Sequence, residues 1–277
     1  MKYAELIKTN LKIYKLKRLG IEQSGIWKKN KRTYNHILPE PLKKLNILET
    51  YRKEFWEDYE TGQLGHIKLH NHFHHLNSSQ AMAFNLFFPF IYHDKRFLPL
   101  LLDSLNISFG EVTEAPFEKI EWPDEGTNFD FFVKYKSDTN VFFELKYSEN
   151  EFGKATNDAS HLKKYEIIYR ALLNNIMVSE FTSCEKFFEN YQIIRNLIYI
   201  GRGNDNYCIF IFPERNNELK MKEDIILNTV LLKYRNKVKI IYLEQLVDKL
   251  IDIFNDKIHS KLITHFNLFK EKYIGEI

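Results

Sequence analysis

Cysteine is nearly missing from this chain of 277 residues: only Cys184 and Cys208 occur, and neither belongs to a Cys-x-x-Cys pair. That excludes a disulfide framework and a zinc ribbon. No run of about 18 apolar residues is present, which excludes a transmembrane helix. The start, Met1 to Leu6, is charged from residue 2 and holds no signal-peptide core. The expectation is a soluble, reducing, cytoplasmic setting with no membrane partner. Glycine is scarce too, at ten residues. Gly201-Arg-Gly203 lacks the spacing, the Lys-Ser/Thr and the following helix of a phosphate-binding loop. Neither a Gly-x-Ser-x-Gly elbow nor a His-Glu-x-x-His pattern occurs. Charge of one sign is also lacking overall, and a net +3 is too small to imply nucleic acid by itself.

What is present is ordinary globular composition, 44% hydrophobic and 28% charged. The length suits one large domain or two small ones, and the simplest division is a single domain. Within it, residues 1–62 form a basic helical extension and residues 63–277 the core with its closing helices. Residues 1–35 hold ten Lys or Arg against Glu5 and Glu22, a net +8, while the remainder is negative. Such a basic lead can meet phosphate, or can be a solvated helix face followed by a basic loop. The many Lys, Asn and Ile residues suggest an AT-rich bacterial genome.

Apolar spacing predicts helices over 3–18 and 45–61, the second stopped by Thr61-Gly62, with an irregular stretch over 21–40 between them. Ser78 is a candidate N-cap for a helix limited by Pro89, and Pro99 can open another through Leu105. Strand patterns follow at 107–114, 116–122, 129–136 and 141–147. A helix over 157–175 precedes two strands at 195–200 and 207–212, bridged by Gly201 to Asp205. A helix at 217–234, a strand at 238–243 and closing helices end the chain. This order implies a mixed sheet covered on both faces.

Two of these strands carry charge where an apolar residue would cost less. Asp130 opens Phe129-Asp-Phe-Phe-Val-Lys-Tyr135, and Glu144-Leu-Lys146 lies in Asn140-Val-Phe-Phe-Glu-Leu-Lys-Tyr147. Period two puts Glu144 and Lys146 on one face. Asp130 shares that face only if the hairpin loop is odd or bulged; an even loop over 137–140 would set it against Tyr147. Two carboxylates and a backbone carbonyl can hold Mg2+, and a lysine beside them can orient the attacking water.

The arrangement resembles the PD-(D/E)xK nuclease superfamily, the restriction-endonuclease-like fold. Gly25-Ile-Trp27, His75 to Ala81, Phe87-Phe-Pro89 and Gly201 to Asp205 are similar to a group of uncharacterised bacterial proteins described as restriction endonucleases. The resemblance implies an α/β core, α-β-β-β-α-β with a mixed sheet flanked by helices, and a metal-dependent phosphodiesterase acting as a DNA endonuclease. It implies Asp130 and Glu144 as metal ligands with the Leu145 carbonyl, Lys146 as the catalytic lysine, and Mg2+ (or Mn2+) as the ion. DNA is the implied partner, with a homodimer and a methyltransferase of the same system as further ones.

Some assignments stay open at this point. Asp124, after Pro123, rivals Asp130 as the first acid. Gln80 at the start of a helix, Glu111 and Glu114 on the first strand, and the His161/Tyr165 pair are auxiliary candidates; Arg202 is a weaker one. His66, His70, His72, His74 and His75 form a cluster that a strand or helix could align for zinc. Two other functions compete: a nucleic-acid-binding protein that keeps the fold without cleaving, and a hydrolase built on the histidine cluster.

Overall fold

A computed structural model of the protein describes residues 2–62, 64–93, 95–203, 205–256 and 259–275. Helix α1 (Tyr3–Lys17) leads to a small hairpin, β1 (Gly25–Trp27) and β2 (Arg32–Tyr34). Next come α2 (Arg52–Thr61), α3 (Ser79–Phe88) and α4 (Leu98–Ser104). The strands β3 (Val112–Glu114), β4 (Phe117–Lys119), β5 (Phe129–Tyr135) and β6 (Thr139–Leu145) follow. The chain then runs through α5 (Ala159–Lys164), a π-turn over Tyr165–Tyr169, α6 (Arg170–Ile176), α7 (Cys184–Glu189) and α8 (Tyr191–Leu197). It ends with β7 (Asp205–Phe212), α9 (Asn217–Lys220), α10 (Glu223–Asn228), β8 (Val238–Tyr242), α11 (Leu243–Asp256) and α12 (Ser260–Tyr273).

The main sheet has the order β3-β5-β6-β7-β8, with β4 also on β5. Strands β5 and β6 are antiparallel, whereas β6, β7 and β8 run parallel. A mixed six-stranded sheet flanked by helices is the α/β architecture the sequence implied. Alternation sorts its two faces. Phe131, Val133, Val141, Phe143 and Ile209 share a hydrophobic cluster with residues of α1, α3, α11 and α12. Phe132, Phe142, Cys208 and Phe210 pack with residues of α6 and α8. Phe87 of α3 stacks on Phe131 with ring centroids 4.1 Å apart. Burying a side chain of this size stabilises by about 1.5–3 kcal/mol. Among the described residues no helix is long and apolar enough to cross a membrane.

Local signals place several elements. The Ser78 hydroxyl accepts the Ala81 N–H at 3.3 Å and caps α3. Gly62, at φ 109°, ends α2 in the left-handed conformation that glycine adopts without strain. Pro99 lies in the first turn of α4. Five expectations need correction. The helix expected over 45–61 begins only at Arg52, after a 3-10 turn over Glu40–Asn46, and the strand expected over 107–114 is confined to Val112–Glu114. Residues 195–200 are not a strand; they continue α8 into a 3-10 turn over Ile198–Gly201. Ile193, Ile194, Leu197, Ile198 and Ile200 are all buried, and an apolar run this short fits either element. The stretch 21–40 contains the β1–β2 hairpin, and 217–234 is broken into α9, α10 and the start of a 3-10 turn over Leu232–Lys237. In the Gly201 to Asp205 bridge, Asn204 lies outside the described residues.

Candidate active site

The site begins with the connection between β5 and β6. Phe131 pairs with Phe143, Phe132 with Phe142, Val133 with Val141 and Lys134 with Asn140. The loop is the three residues Lys136, Ser137 and Asp138. Asp138 takes φ 63°, and its N–H donates to the Tyr135 carbonyl at 3.1 Å. A three-residue hairpin loop commonly ends in such a left-handed residue. Carried one pair further, the register sets Asp130 opposite Glu144. The odd loop required for Asp130 to share the face of Glu144 and Lys146 is therefore present.

The three side chains converge. Asp130 Oδ2 accepts the Leu145 N–H at 2.7 Å. Lys146 Nζ lies 2.8 Å from Glu144 Oε1, with only 12% and 4% of the two side chains exposed. Burial first, and then the charge of Glu144, push the Asp130 carboxyl well above the usual carboxylate range, although Lys146 and the Leu145 N–H pull the other way. Burial opposes the charged amine of Lys146. The carboxylates of Glu144, Glu149 and Asp130 outweigh it and hold the lysine above its ordinary range. That direction favours the ammonium form of Lys146, which can donate hydrogen bonds.

Glu144 is clamped from a helix that the sequence reading misassigned. Gln192 Nε2 donates to Oε1 at 2.6 Å and Asn196 Nδ2 to Oε2 at 3.0 Å. These residues stand one turn apart on α8, so both face the strand. The resemblance pointed instead to His161 and Tyr165. His161 Nδ1 lies 2.7 Å from Asp158 Oδ2, and the Tyr165 hydroxyl donates to the Thr182 carbonyl at 2.5 Å. Neither reaches Glu144. The Gln192/Asn196 pair would have been legible as an i, i+4 polar pair had 191–200 been read as a helix.

Two further acids lie close by, Glu118 acting on Asp130 and Glu149 on Lys146 through their charge. Glu118, at φ 53°, accepts Gln80 Nε2 on Oε1 at 2.8 Å and Asn128 Nδ2 on Oε2. Its charge adds to the upward push on Asp130. Gln80 also accepts the His70 N–H at 2.8 Å, so it ties Glu118 to the histidine stretch and does not contact Glu144. Glu149 accepts the Tyr147 N–H at 2.6 Å. Glu118 and Glu149 line an open cleft of about 840 Å³ together with His66, Lys68, His70 and His72; Asp130, Glu144 and Lys146 lie behind these acids and are not among the residues lining it. No sequence signal singled out Glu118, because a positive φ on a short edge strand leaves no pattern.

The other candidates lie elsewhere. Glu111 and Glu114 sit near the exposed edge of the sheet, paired with Lys136 at 2.9 Å and Lys119 at 3.5 Å. Asp124 is 60% exposed and faces Arg202 at 3.4 Å. That guanidinium stacks 4.4 Å from the Trp122 ring and is not part of the cleft lining. The histidine stretch is a series of turns, so the alternation of His70, His72 and His74 does not align them. Among the described residues no group of three or more His, Cys, Asp or Glu is placed to hold a metal ion.

A buried hub supports this architecture from behind. Glu125, fully buried, receives Arg195 Nε and the Tyr169 hydroxyl on Oε1, both at 2.6 Å. It receives the Tyr199 hydroxyl at 2.7 Å and the Thr127 N–H at 2.8 Å on Oε2. Arg195 lies on α8, so the same helix is anchored at Glu125 and clamps Glu144.

The family model REase-ARP, described as Restriction Endonuclease associating with ARP, matches residues 8–274. No curated protein and no solved structure matches the chain.

Proposed function

We propose a function from one premise: the chain belongs to the REase-ARP family of restriction endonucleases, across nearly its whole length. It hydrolyses phosphodiester bonds in DNA as a divalent-metal-dependent endonuclease. The observation that carries this reading is the convergence of Asp130, Glu144 and Lys146 on one face of the β5–β6 pair. Oxygen donors from two carboxylates suit Mg2+, which is commonly held by one or two carboxylates and keeps several waters. The fit is supported by the acids themselves, since burial first and then the charge of Glu144 push Asp130 up, and a cation would favour both carboxylates in their charged form.

In this reading Asp130 and Glu144 hold the ion with the Leu145 carbonyl. When bound, the ion lowers the pKa of its water and neutralises charge on the phosphoryl group. Lys146 orients the attacking water and stabilises the developing negative charge as a point charge. Gln192 and Asn196 fix the Glu144 carboxylate. The cleft with His66, Lys68 and His70 on its walls takes the strand. The exposed hairpin-tip cations Lys29, Lys31 and Arg32, which have no acidic partner among the described residues, take the phosphates beyond it. Restriction as a biological role implies a methyltransferase partner, and cutting both strands implies two copies.

A plasmid-cleavage assay with Mg2+ tests the reading. Wild type should nick or linearise DNA, and Glu144→Ala and Lys146→Ala should be inactive. Equal cleavage by all three removes the assignment, and salt-dependent binding without cleavage favours a non-catalytic DNA-binding protein.

A further inference from the structure

Beside the cleft, four aromatic rings close on one another. Trp27 and Tyr34 meet at 5.9 Å and 70°, and Tyr34 and His36 at 5.8 Å and 67°. His36 and His75 meet at 6.5 Å and 90°, and His75 returns to Trp27 at 6.5 Å and 81°. They line a cavity of about 130 Å³ that Lys8 and Asn77 also touch.

The walls come from three segments held edge to edge. The Gly25 N–H donates to the Ile37 carbonyl at 2.9 Å, and the Leu38 N–H to the His74 carbonyl at 3.0 Å. Ile37 also bridges to His75. Gly25 permits this approach, because a Cβ there would stand 2.1 Å from the Leu38 carbonyl oxygen.

The cavity is polar and unsatisfied. Trp27 Nε1, His75 Nε2 and Asn77 Oδ1 are buried without a hydrogen-bond partner among the described residues. A buried polar atom left unmet costs about 1–3 kcal/mol, so a guest that supplies partners is favoured. Burial first, and then the neighbouring histidines, lower His75 to about 3. Burial, and then Lys8, lower His36 to about 4. Both rings are neutral at pH 7. No carboxylate lines the cavity, which disfavours a cation, and one lysine is a poor match for a phosphate. A flat, uncharged ring bearing its own donors and acceptors fits: the edge-to-face walls offer it aromatic surface, and Trp27 Nε1 and Asn77 Oδ1 are an unpaired donor and acceptor for its edge. His75 and Asn77 also line the large cleft, so the two spaces adjoin.

We propose that this cage receives a single nucleobase rotated out of a DNA strand lying in the cleft. The proposal rests on the DNA-nuclease reading for its ligand. The base enters between Trp27, Tyr34, His36 and His75. The hairpin that carries Trp27 and Tyr34 also carries the basic tip, Lys28 to Arg32, which meets the backbone on either side of the extruded nucleotide.

The test is equilibrium binding with Ca2+ in place of Mg2+, so that binding is read without cleavage. Three duplexes are compared: one fully paired, one with a single base facing an abasic residue, and one abasic on both strands at that position. The unpaired base costs little to rotate out, so the second duplex should bind about tenfold tighter than the paired one. The doubly abasic duplex should not share that gain. Tyr34→Ala should erase the preference, whereas Tyr34→Phe, which keeps the ring, should retain it. The wild-type comparison decides the matter even if Tyr34→Ala does not fold. Equal affinity for the second and third duplexes overturns the cage as a base site and leaves it to ordered water. The outcome is independent of cleavage: a protein that never cuts DNA can still show the preference, and one that cuts can lack it.

Discussion

Asp130 lies across the β5–β6 pair from Glu144, and its Oδ2 accepts the N–H of the next residue, Leu145, at 2.7 Å. That bond fixes the acid while burial, and then the charge of Glu144, disfavour its ionised form. The fold therefore holds two carboxylates together, with Lys146 as the cation beside them. Such an arrangement stores an unfavourable term that an added positive charge would reduce.

The stored term has a sign that can be measured. Asp130 in the folded protein stands above its ordinary value of 3.8, so the folded state holds this proton more tightly than the unfolded chain. Its contribution to stability is greatest below that value and falls away as pH rises through the raised folded value. Without Mg2+ at pH 7, Asp130→Asn should have a higher Tm than wild type. Wild type should gain Tm on addition of Mg2+, and the variant should lose that gain. Persistence of that rise in the variant counts against Asp130 as a ligand.

Gln192→Ala and Asn196→Ala each remove one donor from a buried carboxylate. Each should cost about 1–3 kcal/mol of stability, read from the urea midpoint. In the proposed reaction kcat should fall about tenfold to a hundredfold through misplacement of Glu144, with little change in KM. Unchanged kcat in both variants would separate the α8 clamp from the chemistry.

Glu125 behaves in the opposite sense to Asp130. Burial raises its pKa, but Arg195, Thr127 and Tyr169 together depress it below the ordinary 4.5. Its contribution is therefore present above pH 4.5 and is lost as pH falls through the depressed folded value. Glu125→Gln should destabilise by about 3–5 kcal/mol at pH 7, because Arg195 is left without its counter-charge. The variant should also show a flatter decline in stability below pH 4.5. An acid limb identical to that of wild type would contradict this role.

The hairpin tip predicts a salt effect. Replacing Lys29, Lys31 and Arg32 with Ala should reduce the slope of log K against log salt by about one unit per residue that contacts phosphate. The far-UV spectrum should not change, since these side chains are exposed. An unaltered slope places DNA away from the tip.

The backbone of Gly25 offers a separate check. Gly25→Ala brings a Cβ to 2.1 Å from the Leu38 oxygen and must push the hairpin away. A loss of about 1–3 kcal/mol is expected from denaturant unfolding. Loss of the unpaired-base preference should accompany it.

The alternating strands around Asp130 and Glu144, the capping Ser78 and the stopping Gly62 were legible because each depends on residues within a few positions. So was the spacing that puts Glu144 and Lys146 on one face. Less legible was α8, where Ile193 to Ile200 is apolar on nearly every side and carries no decisive period. Its polar residues Gln192 and Asn196 acquire meaning only beside Glu144, some fifty residues earlier. Glu111 and Glu114 drew notice for carboxylate chemistry but lie near a solvent edge, while Glu118 entered the cleft through a positive φ.

Local pattern therefore decided the two strands that carry Asp130 and Glu144, the faces they present and that acids interrupt them, since propensity and alternation act over a few residues. Tertiary structure alone decided the pairing across the odd loop, the helix that grips Glu144, the burial of Glu125 and the closure of four rings beside the cleft. Those features join segments far apart in the chain, and the free energy that fixes them comes from packing and desolvation, which no short stretch of sequence contains.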